Sequence, residues 1–300
     1  MPDIVAIGTS TGGLNVLKEL AASLPPDFGG SILIVQHTGP AVPSLLPEIL
    51  SNCGPLPAIQ AADGARIEPG YIYTAPPDRH LRVAHGHMHV TTGPKENFAR
   101  PSINPLLRSA GLAYGSNAVG VILSGELDDG VSGLWDLKRR GGTTIVQDPE
   151  EAASPSMPRN AIQHVQVDYI VRSAELAPLL TALAGTAAPS PQTQNPEVVP
   201  TLTDLTCPEC RGTLWEDRKG TLVEYRCRVG HVFTEQHMVT EHNGAQERAL
   251  YAAIVALEEG AALARHFAER GGEDRDRLLA EAEEKDRNAA ILRRVVTENS

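Results

Sequence analysis

The sequence predicts a doubly wound α/β domain with a mostly parallel sheet, then a small zinc-ribbon-like module and a C-terminal helical hairpin. Three observations carry this. Apolar runs of strand length alternate with segments of helical period up to about residue 186. Cys207, Cys210, Cys227 and His231 follow in the pattern C-x2-C, sixteen residues, C-x3-H. Two long amphipathic stretches then flank Gly271-Gly272.

Composition narrows the function classes. With 300 residues, 41% of them hydrophobic and only 4% aromatic, the chain can build an aliphatic core and more than one unit. A formal net charge of −11 and the lack of a Lys/Arg cluster argue against a nucleic-acid partner, because phosphate binding needs a basic stripe. No segment reaches the roughly 18 apolar residues of a membrane span, and MPDIVAIG lacks the charged start and cleavage site of a signal peptide. A soluble cytoplasmic protein without membrane insertion is expected. Three of the four cysteines fall between positions 207 and 227, which suits a metal site better than a disulfide framework.

The first strand, Ile4 to Ile7, stops at Gly8-Thr9-Ser10-Thr11-Gly12-Gly13, and Leu14, Leu17 and Leu20 begin a helix. Ser10 thus occupies a strand-to-helix turn of G-x-S-x-G form, which exposes a hydroxyl and aims backbone N–H groups at an oxyanion. Glycine-rich turns of this kind also bind phosphate, so the motif alone leaves both readings open. Ser31 to His37 forms a second strand that ends on a histidine at the sheet edge expected to carry Ser10, where open α/β sheets place their sites. A histidine closing a strand for hydrogen bonding alone is the plainer alternative. Residues 44–52 read as a short helix, and 70–76 with 80–90 as an antiparallel excursion. His85, His87 and His89 alternate there, more simply as a solvated face than as metal ligands, since no Asp, Glu or Cys is placed to complete a site.

A helix over 102–113 precedes a buried strand, Asn117 to Gly125, and the acidic loop Glu126-Leu127-Asp128-Asp129-Gly130. This loop can supply a carboxylate to orient an imidazole, while an aspartate there also suits the cap of the helix starting at Val131; one residue can do each. A strand over 143–147, a helix over 158–163, a strand over 167–171 and a helix over 176–184 complete the domain. The order Ser10, His37, Asp129 differs from the Ser, Asp, His order of α/β-hydrolases.

Six ordered motifs between residues 3 and 186 resemble the catalytic domain of the chemotaxis protein-glutamate methylesterases, the CheB family: AIGTSTGG, IVQHTGP, YTAPPDRHL, ARPSINPLLRSAG, VILSGELDDGVSGL and GGTTIVQDPEEAASPSMP. The resemblance implies Ser10 as nucleophile, His37 as general base and Asp129 as the orienting acid of an acyl-enzyme mechanism. It implies no cofactor for catalysis, and it implies glutamate 5-O-methyl esters of a methylated chemoreceptor or similar helical signalling protein as substrate, with glutamine deamidation in some members. The chain departs from the family in reading Gly125-Glu126-Leu127-Asp128-Asp129-Gly130 where many members have G-M-G-N-D-G, and Asn104 where they often have aspartate. Members usually carry an N-terminal receiver domain that covers the active site until it is phosphorylated. Here the sequence begins at the catalytic strand, so control is expected from expression, a separate regulator or the C-terminal part.

The expected organisation is a catalytic domain over 1–186, a linker over 187–204, the ribbon over 205–238 and the helical hairpin over 239–300. The four-ligand pattern suits a tetrahedral structural zinc on two turns joined by a hairpin, with Leu214 to Glu216 and Val223 to Arg226 as strands. So small a module has too little core to fold without it. Leu250, Ile254, Leu257, Ala261 and Ala264 form one helix face, and Leu278, Ala282, Ala289, Leu292 and Val296 another. Besides the methylesterase, two other functions fit the residues: a non-catalytic adaptor working through the ribbon and hairpin, and a related serine esterase acting on another substrate.

Overall fold

A computed structural model gives the fold and describes residues 4–37, 44–184, 200–270 and 274–298. Thr38-Gly39-Pro40, most of the expected linker and Gly271-Gly272 lie outside the described residues. The chain divides into two compact units, residues 1–237 and 238–300.

The first unit opens with β1 (Ile4–Thr9), α1 (Gly13–Ser23), β2 (Ser31–Gln36), α2 (Leu46–Ser51), β3 (Ala58–Gln60) and β4 (Ile72–Thr74). The hairpin strands β5 (His80–Ala84) and β6 (His87–Thr91) follow, then α3 (Ile103–Tyr114), β7 (Ala118–Ile122), α4 (Val131–Arg139) and β8 (Thr143–Gln147). The α/β part closes with α5 (Ser156–His164), β9 (Tyr169–Val171) and α6 (Ser173–Ala184). Among the described residues, seven strands form one sheet in the order β3-β4-β2-β1-β7-β8-β9, paired in parallel throughout. This is the doubly wound sheet the sequence predicts.

Burial on both faces follows from the continuous apolar runs. In β1, Ile4 and Ala6 join a core cluster with Leu106, Leu107, Leu134 and Leu137 of α3 and α4, while Val5 and Ile7 join Leu17, Leu20, Leu50 and Leu180 on the other face. The strand order reverses at β1, with β2 on one side and β7 on the other. A crevice at the carboxyl ends of these strands is where such sheets open to ligands.

The structure departs from the expected antiparallel excursion. Within residues 70–90 the antiparallel hairpin is formed by β5 and β6 alone, while Ile72–Thr74 is fully buried and pairs in parallel with both β2 and β3. Ile72, Tyr73 and Thr74 are consecutive β-formers with no charged residue alternating among them, which suits a strand covered on both faces better than a half-exposed hairpin. His85 sits in the β5–β6 turn with φ 49°, and His87 and His89 remain on a partly solvated face.

The C-terminal residues of the same unit form a four-stranded antiparallel ribbon, β10 (Thr201–Thr206), β11 (Thr213–Lys219), β12 (Leu222–Cys227) and β13 (Val232–Thr234). Residues 201–204, expected as the end of a linker, belong to β10. The ribbon packs on α3 and α4. Leu222 enters the core cluster of those helices, and Lys219 Nζ lies 2.9 Å from Asp136, 2.8 Å from Glu224 and 5.9 Å from the centre of the Trp135 ring. Arg108 completes this buried charge cluster, pairing with both oxygens of Glu96 and with Asp136. Against the cost of burial, Lys219 and Arg108 hold the Asp136 and Glu224 carboxyls below their ordinary range.

The helices α7 (Glu235–Glu269) and α8 (Arg275–Glu298) follow. The first begins four residues before the hairpin expected over 239–300, because β13 runs directly into it. In the second unit, Ile254, Ala261, Ala264, Ala282, Ala289 and Val296 are buried, on the two faces read from the sequence.

Candidate active site

Ser10, His37 and the acidic loop arrive at one edge of the sheet from β1, β2 and the segment after β7. Ser10 is fixed by its backbone: its N–H donates to the Ser124 carbonyl at 2.9 Å, and its carbonyl accepts from Gln36 Nε2 at 2.9 Å. The tight approach of chain segments requires small residues. A Cβ on Gly125 would lie 2.9 Å from the Ser10 Cβ and 2.8 Å from the Met157 sulfur. The left-handed step of the turn falls at Gly12, with φ 81°, and Ser10 is not among the described residues of positive φ. The serine is therefore presented without the backbone strain of a nucleophile elbow.

His37 bridges the other two side chains. Its Nδ1 lies 3.3 Å from Ser10 Oγ and its Nε2 lies 2.8 Å from Asp129 Oδ2. The partners set the tautomer, since a carboxylate only accepts: Nε2 carries the hydrogen and Nδ1 presents a lone pair to the serine. The ring is thus used in the opposite sense to the chymotrypsin arrangement, in which Nε2 faces the serine.

Asp129 is 1% exposed, and both its oxygens are occupied. Oδ2 accepts from His37 and from the Ile103 N–H at 2.7 Å; Oδ1 accepts from Ser102 Oγ at 2.8 Å and from Asn97 Nδ2 at 3.1 Å. Burial pushes the carboxyl pKa up, but the bonds from His37, the Ile103 N–H and Ser102 outweigh it and leave the pKa at about 2. A fixed negative charge therefore faces the imidazole.

The acidic pair divides differently from the expected cap-and-site arrangement. The N-cap of α4 is Gly130, with no side-chain cap. Asp128 turns toward the ribbon instead: Oδ1 accepts from Thr234 Oγ1 at 2.7 Å and lies 2.6 Å from His237 Nδ1. A threonine and a histidine more than a hundred residues away supply what a helix N-terminus would have offered. Asn104 is buried on α3, where its Oδ1 accepts from the Gly133 N–H at 2.8 Å and ties α3 to α4.

Beside His37 lies a cleft of about 340 Å³, lined by His37, Asp78, Lys95, Phe98, Ala99, Arg100 and Pro101. Arg100 is held there by Asp78 at 2.8 Å and by the Gly93 carbonyl at 3.1 Å.

Residues 5–180 match the family model described as CheB methylesterase. The chain belongs to the CheB methylesterase family. Membership makes it a hydrolase of the methylesterase class. A Leptospira interrogans relative is 36% identical over 182 residues, which cover 60% of this chain and 94% of that protein. Protein-glutamate methylesterase/protein-glutamine glutaminase 3 of Anaeromyxobacter dehalogenans is 43% identical over 158 residues, 52% of this chain and 46% of that one. The corresponding enzyme 1 of Syntrophus aciditrophicus is 40% identical over 189 residues, 62% and 54% of the two chains. The chain spans about half the length of these last two relatives. The crystal structure of the Thermotoga maritima CheB methylesterase catalytic domain superposes with a TM-score of 0.59 at 33% identity, covering 61% of this chain and 99% of that one.

The CheB match ends before the ribbon, where Cys207, Cys210, Cys227 and His231 form a second polar cluster with ligand atoms all within 4.8 Å of one another. Cys210 Sγ lies 3.6 Å from Cys227 Sγ, and His231 Nδ1 lies 3.7 and 3.5 Å from the sulfurs of Cys207 and Cys227. A tetrahedral zinc with bonds of about 2.3 Å to sulfur and about 2.0 Å to nitrogen requires edges of roughly 3.8 and 3.5 Å. The donor set fits that ion, and its sulfur separation is far from a disulfide bond. Burial pushes the Cys207 thiol up to about 12, so a thiolate there needs a cation beside it.

Sequence reasoning missed Asn97, Ser102, Thr234 and His237. Ser102 lies within the ARPSINPLLRSAG motif; the others have no local signal.

Proposed function

We propose that this chain is a protein-glutamate methylesterase that hydrolyses glutamate 5-O-methyl esters on methylated, chemoreceptor-like helical proteins in the cytoplasm, with Ser10, His37 and Asp129 as its catalytic residues. The observation that carries the reading is His37 set between Ser10 Oγ and the buried, ionised Asp129. His37 Nδ1 takes the Ser10 proton as Oγ attacks the ester carbonyl carbon; the C–O bond to the methoxy group breaks, and the proton leaves with methanol. Water then gives a proton to Nδ1 and its oxygen attacks the acyl carbon, which frees glutamate and returns the proton to Ser10. Asp129 stabilises the imidazolium in both steps. The Thr11 N–H, in the turn just before α1, with a second donor from the Glu126 loop, holds the oxyanion. The same steps on a glutamine side chain expel ammonia, so deamidation needs no further group.

Zinc bound by Cys207, Cys210, Cys227 and His231 would be structural, since four protein ligands leave no open position for a reactant. A separate regulator and the helical hairpin are the candidates for control and partner docking. Methanol released from methyl-esterified receptor cytoplasmic fragments tests the reading. Release that Ser10→Ala abolishes supports it; no release from cognate receptors, with Ser10 still reactive toward a phosphonate, moves the assignment to another ester.

A further inference from the structure

The loop before α3 is held in a costly conformation by the ribbon. Asn97 and Phe98 have φ 51° and 58°, consecutive left-handed residues, of which the second has no local polar group to favour that region. Strand β13 holds them there. The Asn97 N–H donates to the Val232 carbonyl at 2.8 Å, the Thr234 N–H donates to Asn97 Oδ1 at 3.0 Å, and the rings of Phe98 and Phe233 meet at 4.5 Å. With its carbonyl oxygen taken by β13, the Asn97 amide can point only its nitrogen at Asp129, where Nδ2 donates to Oδ1. Asn97 is 4% exposed, so water does not substitute for either bond. Strand β13 begins one residue after the ligand His231, and β12 ends on the ligand Cys227.

We propose that Asn97 is a positioning residue for the Asp129–His37 pair, and that the metal-ordered ribbon sets it by clamping the Asn97-Phe98 loop through β13. The proposal rests on the methylesterase reading only for the reaction that reports it. An Asp129 carboxylate missing the Asn97 bond keeps only Ser102 on Oδ1, so that oxygen is less tightly fixed and the imidazole the carboxylate orients loses alignment with Ser10. The ribbon thereby becomes part of the active-site wall, and the zinc cluster acts on the site through strand geometry without touching a reacting atom.

Asn97→Gly is the informative variant, because glycine keeps the left-handed backbone while removing the amide. In the full-length, zinc-loaded protein, kcat for methyl-ester hydrolysis is expected to fall roughly tenfold to a hundredfold with KM little changed, the effect of losing one hydrogen bond to a charged group. Zinc content is expected to stay at that of the parent. Two readouts do not depend on the substrate: the His37 Nε2–H proton resonance moves or broadens, and phosphonate labelling of Ser10 slows by a similar factor. Stripping zinc from the parent reproduces these changes, whereas stripping it from Asn97→Gly adds little, since the two act along one path. Asn97→Gly with an unchanged imidazole resonance and labelling rate overturns the proposal, as do full and independent losses from the variant and from zinc removal. A parent that labels at Ser10 but releases no methanol overturns the methylesterase reading alone, and slower labelling in Asn97→Gly then still upholds the positioning role.

Discussion

The protein's two polar clusters are built in opposite ways. Ser10, His37 and Asp129 are 27 and 92 residues apart and meet because three strands of a buried sheet end at one edge. Cys207, Cys210, Cys227 and His231 fall within one short ribbon and meet through two tight turns. The first cluster takes its geometry mainly from strands packed in an aliphatic core, and the second from turns whose donor atoms fit a tetrahedral cation. Removing a group should therefore cost the first cluster chemistry and the second cluster structure.

Zinc removal makes the largest difference. Binding free energies for structural zinc are on the order of 10 kcal/mol, so chelation should unfold the ribbon locally. Amide exchange over β10 to β13 is expected to accelerate sharply while β1 and β7 remain protected; equal acceleration in both would erase the contrast. Ser10→Ala should lower methanol release by roughly 10⁴-fold or more, with an unchanged melting temperature and zinc content. Lys219→Ala probes the seam between the two constructions. It leaves Asp136 and Glu224 buried with Arg108 as their main remaining partner, and a loss of about 3–5 kcal/mol in denaturant unfolding is expected.

The Asp129 contribution is smaller and depends on pH. Its folded pKa of about 2 lies below the ordinary 3.8, so its stabilisation is complete above about pH 4 and disappears as pH falls toward 2. Unfolding measurements should show about 2 kcal/mol lost across that window, and Asp129→Asn should lack that component. At the bottom of the scale, Arg293→Ala breaks an exposed pair with Glu258 between α7 and α8 and should change stability by no more than about 0.5 kcal/mol.

What the sequence disclosed follows the same division. The strand ends were legible to within three residues, expected at Ile7, His37 and Gly125 and found at Thr9, Gln36 and Ile122, because each apolar run stops close to glycine or polar residues, so the meeting of Ser10, His37 and the acidic loop could be expected from the sequence. The gathering of Cys207, Cys210, Cys227 and His231 was legible because their spacing is local. Strand β4 was misread as part of a hairpin because three residues carry too little pattern to choose a partner. The Asn97, Thr234 and Asp128 contacts left no trace, since they join segments 106 and 137 residues apart through single hydrogen bonds that no periodicity encodes. The left-handed backbone at Asn97 and Phe98 is likewise imposed by β13 and not by local propensity.

The bond from the Thr234 N–H to Asn97 also sets an order of events during synthesis. At about 5–20 residues per second, the 137 residues between them take roughly seven to thirty seconds to emerge from the ribosome. Strands β7, β8 and β9 are made in that interval and complete the parallel sheet, and the nascent domain holds Ser10, His37 and Asp129 before the clamp on its Asn97-Phe98 loop exists. The last short strand of the ribbon is thus the closing event of translation for this site, and a nascent chain stalled before Thr234 would carry a finished sheet with an unfinished wall.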